Sequence, residues 1–268
     1  MPRIPGRHFL RNLVERRALV AQLVRRDFQQ RYVGSAAGWL WGVVHPLVLL
    51  ASYYFVFQYA LHLGPPKGYD SYAIFIFTGF LPWLLFQETV TRSAGSLVDH
   101  ANLITKTVFP SEVVPLSIFL SSLIHHLIGA GLVILYLAWM LKSVSLTLVL
   151  LPVYMFFVGL LAVGIGWIVS SLHVYLRDTG QAMMVALTLW FWMTPILISE
   201  EFFQGSAPKR MVLLWNPMTW VVRGYRELLS AQWPPPHDIG ILAAYSLSIF
   251  VIGGLLFRVL KRGFADVL

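Results

Sequence analysis

Few side chains in the apolar stretches of this sequence have types and spacing that could do chemistry. His125 and His126 are adjacent, so on a helix they point about 100° apart and cannot hold one metal ion together. Hydrogen bonding inside a helix bundle is therefore the favoured role for both. Glu88 follows an apolar run, and an acid at membrane depth is typically functional. An ion pair with Arg92 at the membrane surface is the equal alternative for this residue.

The motifs of the common enzyme classes are absent from the sequence. It has no Walker-type glycine loop, no His-Glu-x-x-His zinc motif and no Gly-x-Ser-x-Gly elbow. Gly164 and Gly166 follow no predicted strand, so they do not form a dinucleotide fingerprint. Without cysteines there is no thiol nucleophile, disulfide or thiolate metal site. We therefore predict a chain without a catalytic site, metal or cofactor of its own.

Aromatic side chains are plentiful, and a path for a glycan would use them, because sugars stack on aromatic faces. For any single residue, packing at the membrane interface is the simpler explanation. The residues concerned are Trp39, Trp41, Tyr53, Tyr54, Trp83, Phe86, Trp190, Phe191 and Trp192.

The composition indicates a protein whose main solvent is lipid. Of the 268 residues, 57% are hydrophobic and only 12% are charged, about half the share of roughly 25% found in soluble domains. The net charge of +8 is concentrated near the N-terminus. Anionic lipid and the positive-inside rule explain that charge without nucleic acid. Any functional residue must therefore be positioned mainly by transmembrane helices.

Six runs without Asp, Glu, Lys or Arg are candidates to cross about 30 Å of hydrocarbon as helices. They cover residues 33–66, 71–87, 113–141, 143–176, 179–199 and 239–257, the second extending to residue 91. With the N-terminus inside, most of the 20 Lys and Arg residues are cytoplasmic. We predict an all-α integral membrane protein with six transmembrane helices and both termini in the cytoplasm. Residues 1–32 are predicted to form an interface helix and residues 33–268 the six-span transmembrane domain.

The interface helix is predicted from a basic, amphipathic pattern over residues 8–32. Its apolar residues near one face are Phe9, Leu13, Val20, Val24 and Phe28. Such a helix would lie in the cytoplasmic membrane interface. A positive-inside anchor with no further role is the alternative.

Two further segments beside the spans have recognisable patterns. Gly34, Gly38 and Gly42 recur every four residues, and on a helix they would form a groove that lets another helix approach closely. The sequence of residues 92–112 is compatible with a short amphipathic helix or with an ordinary connecting loop. The helix would end at Pro110, which has no amide hydrogen to donate.

The outer segment of residues 200–238 is too apolar for a solvated loop and too interrupted by prolines to span the membrane. We predict two short re-entrant helices, one on each side of Asn216 and Pro217. An ion pair with Arg223 or Arg226 is the expected role of Glu227.

Several stretches resemble one known family in order and spacing. They are RRDFQQRYVGSAAGWLWGVVHPLVLLASYYFVF at residues 25–57, ANLITKTVFPSEVVPL at 101–116, FWMTPILIS at 191–199 and WNPMTWVVRGYRELL at 215–229. Together they are similar to the permease subunits of type-2 ABC exporters, in the branch that exports O-antigen, teichoic acid and capsule polymers. One departure is Ser111-Glu112, which stands where the family usually has a basic residue after Phe-Pro.

The resemblance implies a half-transporter of the bacterial inner membrane. It would form a homodimer and dock two copies of a cytosolic ATPase, which would bind the ATP and magnesium. The cargo would be an undecaprenyl-linked polysaccharide, with O-antigen as the first choice. Teichoic acid, capsule, small lipids and drugs are alternatives within the family. A membrane enzyme acting on polyprenyl-linked sugars and an accessory membrane protein are alternatives of other classes.

The resemblance also implies roles for three groups of residues. ATPase coupling is expected from Asn102, Leu103, Lys106, Phe109, Pro110, Arg177 and Asp178. The lining of the conduit and dimer interface is expected from Gly34, Gly38, Trp41, Gly42, Trp190 and Trp192. The periplasmic gate is expected from Trp215, Asn216, Pro217, Tyr225 and Arg226.

Overall fold

The structure is a computed structural model, and the chain folds into a bundle of helices. It describes residues 17–31, 33–66, 68–69, 71–106, 109–141 and 145–268. Within these ranges there is no β-strand, so the predicted all-α class is confirmed. The helices are α1 (Arg17–Gln30), α2 (Trp41–Tyr54), α3 (Tyr72–Asp99), α4 (Ala101–Lys106), α5 (Val113–Leu141), α6 (Leu151–Tyr175), α7 (Thr179–Met193), α8 (Ala207–Trp215), α9 (Pro217–Leu229), α10 (Pro236–Leu260) and α11 (Phe264–Val267).

Five helical segments in the described part of the chain are long and apolar enough to cross a membrane. They are Trp41–Ala60, Tyr72–Asp99, Val113–Trp139, Leu146–Tyr175 and Pro236–Gly263. Charge-free runs predict these elements because a Lys or Glu side chain is costly in hydrocarbon. The predicted run 113–141 coincides with α5, whereas in the first run, 33–66, helix α2 begins only at Trp41.

The remaining predicted span, residues 179–199, contains a helix of only 15 residues, α7. At about 1.5 Å per residue it is shorter than the hydrocarbon core. The helix ends at Thr194, whose successor Pro195 disfavours a helical conformation before it. The segment nevertheless joins opposite ends of the bundle. The Gly180 amide lies 3.3 Å from His173 Nδ1, and the Tyr72 hydroxyl donates to the Leu197 carbonyl at 2.5 Å. Six crossings remain a prediction.

The bundle has two ends, the α1 end and the α9 end, each called after a short helix that it carries. The α1 end holds α1, α4, the last turns of α3 and α6, and the end of α10. The α9 end holds α8, α9, the first turns of α3 and the start of α10. Consecutive long helices run between these ends in alternating directions.

Helices α3 and α6 form the centre of the bundle, and α10 packs along α6. The backbones of α6 and α10 approach very closely, since a β-carbon on Gly253 would lie 2.2 Å from the Gly164 carbonyl oxygen. Small residues at a crossing permit such contact between membrane helices.

Helix α2 lies at the periphery, with 11% of its apolar window buried. The predicted glycine groove at its start is wrong. Gly34 and Gly38 have φ values of +81° and +52°, a left-handed conformation that no right-handed helix contains. They lie in the turn before α2, and only Gly42 lies on the helix.

Helix α3 is longer than predicted, because it continues through Arg92 to Asp99. Its later polar residues are satisfied locally: Thr89 donates to the Leu85 carbonyl at 2.7 Å and Ser96 to the Ser93 carbonyl at 2.7 Å. The predicted loop at residues 92–112 therefore begins only after Asp99. A short helix, α4, lies within it, as in one of the two predicted alternatives, but its bounds are Ala101–Lys106 and Pro110 is not helical.

Helix α1 is the described part of the predicted interface helix. Its residues Val20 and Leu23 are buried against Val113 at the start of α5. Residues 1–16, with Phe9 and Leu13, lie outside the described residues.

Candidate functional site

The residues predicted to couple to an ATPase come together at the α1 end. Four of them are exposed on α4 and on the turn between α6 and α7: Asn102, Lys106, Arg177 and Asp178. Leu103 and Phe109 are partly buried, and Pro110 is buried. The two predicted contact segments thus present polar side chains on the same end of the molecule and anchor themselves with apolar ones.

A network of ion pairs fastens α1 to the bundle beside these segments. Arg92 of α3 pairs with Asp27 of α1 at 2.5 Å. Arg31 forms an ion pair with Glu88 of α3. Its guanidinium also lies 2.9 Å from His125 Nδ1, so it contacts a second helix, α5. Glu88 also lies 3.8 Å from Arg92. The surface ion pair expected as one role of Glu88 is therefore present, and it includes an arginine from the α1 segment.

A cleft of about 940 Å³ opens between α2, α3, α5 and α7. Its walls are mainly apolar, and Tyr53, Phe80 and Phe191 form a three-ring cluster with centroids 5.7–5.9 Å apart. The charged residues Arg31 and Glu88 lie at one end of it. The cleft is thus an apolar passage with an ionic rim at the α1 end.

The predicted conduit residues divide into two groups. Trp41, Gly42 and Trp192 line the cleft, and both tryptophans are more than half exposed. Trp190 instead packs against Phe86 with ring centroids 5.1 Å apart. Its indole nitrogen donates a hydrogen bond away from the cleft.

That hydrogen bond reaches Asn216, which joins α7 to α9. Asn216 Oδ1 accepts from Trp190 Nε1 at 2.7 Å and from the Met218 amide at 3.0 Å, so it caps the N-terminus of α9. Its Nδ2 donates to the Thr194 hydroxyl at 2.9 Å and to the Met193 carbonyl at 3.3 Å. The structure has one helix on each side of Asn216-Pro217, α8 and α9, and their re-entrant position in the membrane stays a prediction.

Arg226 is buried at the α9 end, where it joins three elements. Its guanidinium donates to the Ile196 carbonyl at 2.7 Å and lies 3.7 Å from the centre of the Phe75 ring. Within the described residues it has no carboxylate partner. Because the contacts of this charge in the described part of the chain are carbonyl dipoles and a ring face, its position depends on α3 and on the end of α7.

The other predicted gate residues are divided between the interior and the surface. Pro217 is buried at the start of α9, and Tyr225 is fully buried with its hydroxyl 3.0 Å from His126 Nε2. Hydrogen bonding within the bundle, as predicted for His126, is therefore observed. Trp215 is exposed.

The ion pair predicted for Glu227 is wrong. Arg223 pairs instead with Glu200 at 2.5 Å and with Asp238 at 3.0 Å, because its side chain extends from α9 toward the start of α10. Glu227 Oε2 is buried without a hydrogen-bond partner. Burial raises the pKa of this carboxyl to about 7, and the neighbouring Asp238 adds to the rise.

Sequence reasoning missed Glu200 and Asp238 as partners of Arg223. The usable signal was an arginine and several acids inside an otherwise apolar outer segment. Across the described residues, no group of three or more His, Cys, Asp or Glu side chains could hold a metal ion.

Comparison with known proteins identifies the family. The sequence profile described as "ABC-2 type transporter" matches residues 18–229, which run from α1 to the end of α9. The chain belongs to the ABC-2 type transporter family. Membership agrees with the long apolar helices, and the protein is a multi-pass integral membrane transport subunit.

Three similar proteins align along nearly their whole length. The O-antigen export system permease protein RfbA of Klebsiella pneumoniae is 28% identical over 93% of this chain and 95% of its own. RfbA of Myxococcus xanthus is 27% identical over 96% and 98%. The polysialic acid transport protein KpsM of Escherichia coli is 24% identical over 89% and 92%.

Proposed function

We propose that this chain is the transmembrane subunit of an ABC exporter that moves a lipid-linked surface polysaccharide, with O-antigen as the preferred cargo. The observation that carries the proposal is end-to-end similarity to permeases named for O-antigen export. A capsule-type polymer is the second candidate, because relatives named for polysialic acid transport also align along their length.

The energy comes from a separate ATPase that binds ATP and magnesium, in two copies for a homodimer of this chain. The exposed residues Asn102, Lys106, Arg177 and Asp178 support this, because they present both signs of charge on two segments at one end. That end faces the cytoplasm of a bacterial inner membrane. Six crossings return the C-terminus to it, with the segment containing α7 as the fifth.

The conduit runs along the cleft, and a second copy of the chain closes it. Helix α2 leaves Trp41 and other apolar side chains exposed, and Trp192 of α7 lies across the same cleft. The aromatic cluster supplies ring faces for sugars. Helices α8 and α9 dip into the outer leaflet and form the periplasmic gate around Asn216 and Arg226.

Purification in gentle detergent with ATP and vanadate tests the partner. A stoichiometric cytosolic ATPase should elute with the wild-type chain and be reduced with Arg177→Glu. Arg210→Glu is the matched control, because Arg210 is an exposed arginine at the α9 end. Recovery of the wild-type chain alone under these conditions would contradict the proposal.

The cargo is tested with vesicles that contain the chain and its ATPase. Lipid-linked polysaccharide added outside should become protected inside when ATP is supplied, and should stay outside when ATP is withheld. Chemical change of the polysaccharide by the purified chain without ATP would favour an enzyme instead.

A further inference from the structure

The C-terminal residues of the chain fold back onto the α1 end and touch both predicted ATPase-contacting segments. A tight turn, Lys261–Gly263, follows α10 and leads into α11. Helix α11 packs beside α4. Phe264, its first residue, is 1% exposed and lies against the rings of Tyr175 and Phe257 at 6.2 and 5.6 Å. The tail therefore has a buried apolar anchor.

A charged contact fixes the same tail to the junction between α4 and α5. Lys261 Nζ lies 2.5 Å from Glu112 Oε2. The Glu112 carbonyl accepts from Trp167 Nε1 at 2.9 Å, so the backbone of this acid is tied to α6. Glu112 directly precedes α5 and Lys261 directly follows α10. Each charge is therefore also favoured by the dipole of its neighbouring helix.

A third contact connects the tail to the turn after α6. The Tyr175 hydroxyl donates to the Leu260 carbonyl at 2.7 Å. Arg177 and Asp178 follow two residues later on the exposed turn. The tail thus contacts one predicted ATPase-contacting segment through α4, with the Lys261–Glu112 pair just beyond that segment, and the other through the ring contact between Phe264 and Tyr175.

We propose that residues 261–268 are a brace that holds the two predicted ATPase-contacting segments, around residues 102–110 and 175–180, in a fixed relation, with Phe264 and the Lys261–Glu112 pair as positioning residues. The inference rests on the proposed function. In the chain α4 follows α3 and the turn follows α6, so the brace adds a link between segments that are carried by two different long helices. With it, a push on either segment moves both.

The chain offers a direct measurement, because it contains no cysteine. Spin labels on Asn102→Cys and Arg177→Cys report the separation of the two segments, and dilution with unlabelled protein isolates the distance within one protomer. A narrow distance distribution is expected for the otherwise wild-type chain. Lys261→Glu and Phe264→Ala should broaden it. An unchanged distribution in both variants would overturn the brace, whatever the chain transports.

Transport per ATP hydrolysed tests the functional consequence. Lys261→Glu and Glu112→Lys should each lower this ratio by about threefold, as expected for a partly exposed ion pair. ATP hydrolysis itself should persist. Arg262→Glu is the matched control, since Arg262 is the adjacent exposed cation and has no ion pair within the described residues.

Combining the two reversals distinguishes positioning from simple damage. Lys261→Glu with Glu112→Lys restores the attraction but places each charge against its helix dipole, so recovery of more than half of the lost ratio is expected. If the double variant lowers the transport per ATP by as much as the two single variants combined, the proposed pairing is overturned. If the wild-type complex hydrolyses ATP without transport, the proposed function fails, and the spin-label measurement still decides the brace.

Discussion

Asn216 and Trp190 form a linked pair, and replacing Asn216 by alanine should destabilise the protein by an amount that depends on Trp190. The asparagine side chain accepts from the Trp190 indole at 2.7 Å and from the Met218 amide at 3.0 Å. Alanine removes the Oδ1 atom that accepts both bonds. The Thr194 hydroxyl loses a donor but still bonds to the Trp190 carbonyl at 2.8 Å, so its loss should be minor.

The magnitude follows from those two lost bonds. Removal of an asparagine N-cap costs about 1 kcal/mol. Leaving the partly buried indole N–H of Trp190 without its acceptor costs about 1–3 kcal/mol more. Asn216→Ala should therefore cost about 2–4 kcal/mol in the wild-type background. With Trp190→Phe already present the indole N–H is gone, and the cost should fall to about 1 kcal/mol.

A double-mutant cycle measures that difference. The four proteins are purified in detergent and heated, and the folded fraction is read from size-exclusion chromatography. For chains of this size about 1 kcal/mol shifts the midpoint by roughly 2–4 °C. Asn216→Ser is the control, because its hydroxyl retains a cap acceptor and should lose less. Equal midpoint shifts for Asn216→Ala in both backgrounds would refute the reasoning.

Two other substitutions have clear expected outcomes. Gly253→Ala places a β-carbon 2.2 Å from the Gly164 carbonyl oxygen, so it should force α10 away from α6 and lower the stability by about 1–3 kcal/mol. In Gly254→Ala the new β-carbon lies 3.4 Å from the Trp167 ring, so this variant should lose less stability in the same heating assay. The reverse order would contradict the close crossing of α6 and α10. Because burial raises the pKa of Glu227 from 4.5 to about 7, the folded state holds its proton more tightly than the unfolded chain, so stability should fall as pH rises through that interval. Glu227→Gln should flatten this dependence in midpoints measured from pH 4 to 8, and an unchanged slope would contradict it.

The long helices could be predicted from the sequence because hydrocarbon imposes a simple rule. A segment without charges and of sufficient length becomes a helix, and α5 matches its predicted run at both ends. The rule failed where charges were paired. Arg92 ended the predicted second span, but its partner Asp27 lets α3 continue for seven more residues.

The spacing of residues along the sequence predicted the structure less well where the backbone is not helical. Gly34 and Gly38 have helical spacing, yet their positive φ values place them in a turn. Spacing reports which residues share a face only if a helix exists. Glycine is also the residue type that most readily adopts the positive φ values at which a right-handed helix is interrupted.

The partners of the polar residues at the α9 end were beyond sequence reasoning. Arg226 is held by the Ile196 carbonyl and the Phe75 ring, and Arg223 by acids 23 and 15 positions away. These contacts depend on how the helices pack, and a backbone carbonyl carries no sequence signal. Residue type predicted that charged side chains at membrane depth have a function. Their partners could be identified only from the fold.

Helix α3 connects the regions to which coupling and gating are assigned. Its 28 residues extend over about 42 Å. Near its end Arg92 holds α1, and near its start Phe75 lies under Arg226 of α9. Close-packed interiors resist compression, so movement of α1 would reach the α9 end as displacement of the whole helix. Arg226 has no carboxylate partner in the described chain to hold it elsewhere, and it would then lose its ring contact when α3 moves. Among the described residues the Arg226 guanidinium is held by carbonyls and a ring, and we predict that this contact forms and breaks in each transport cycle.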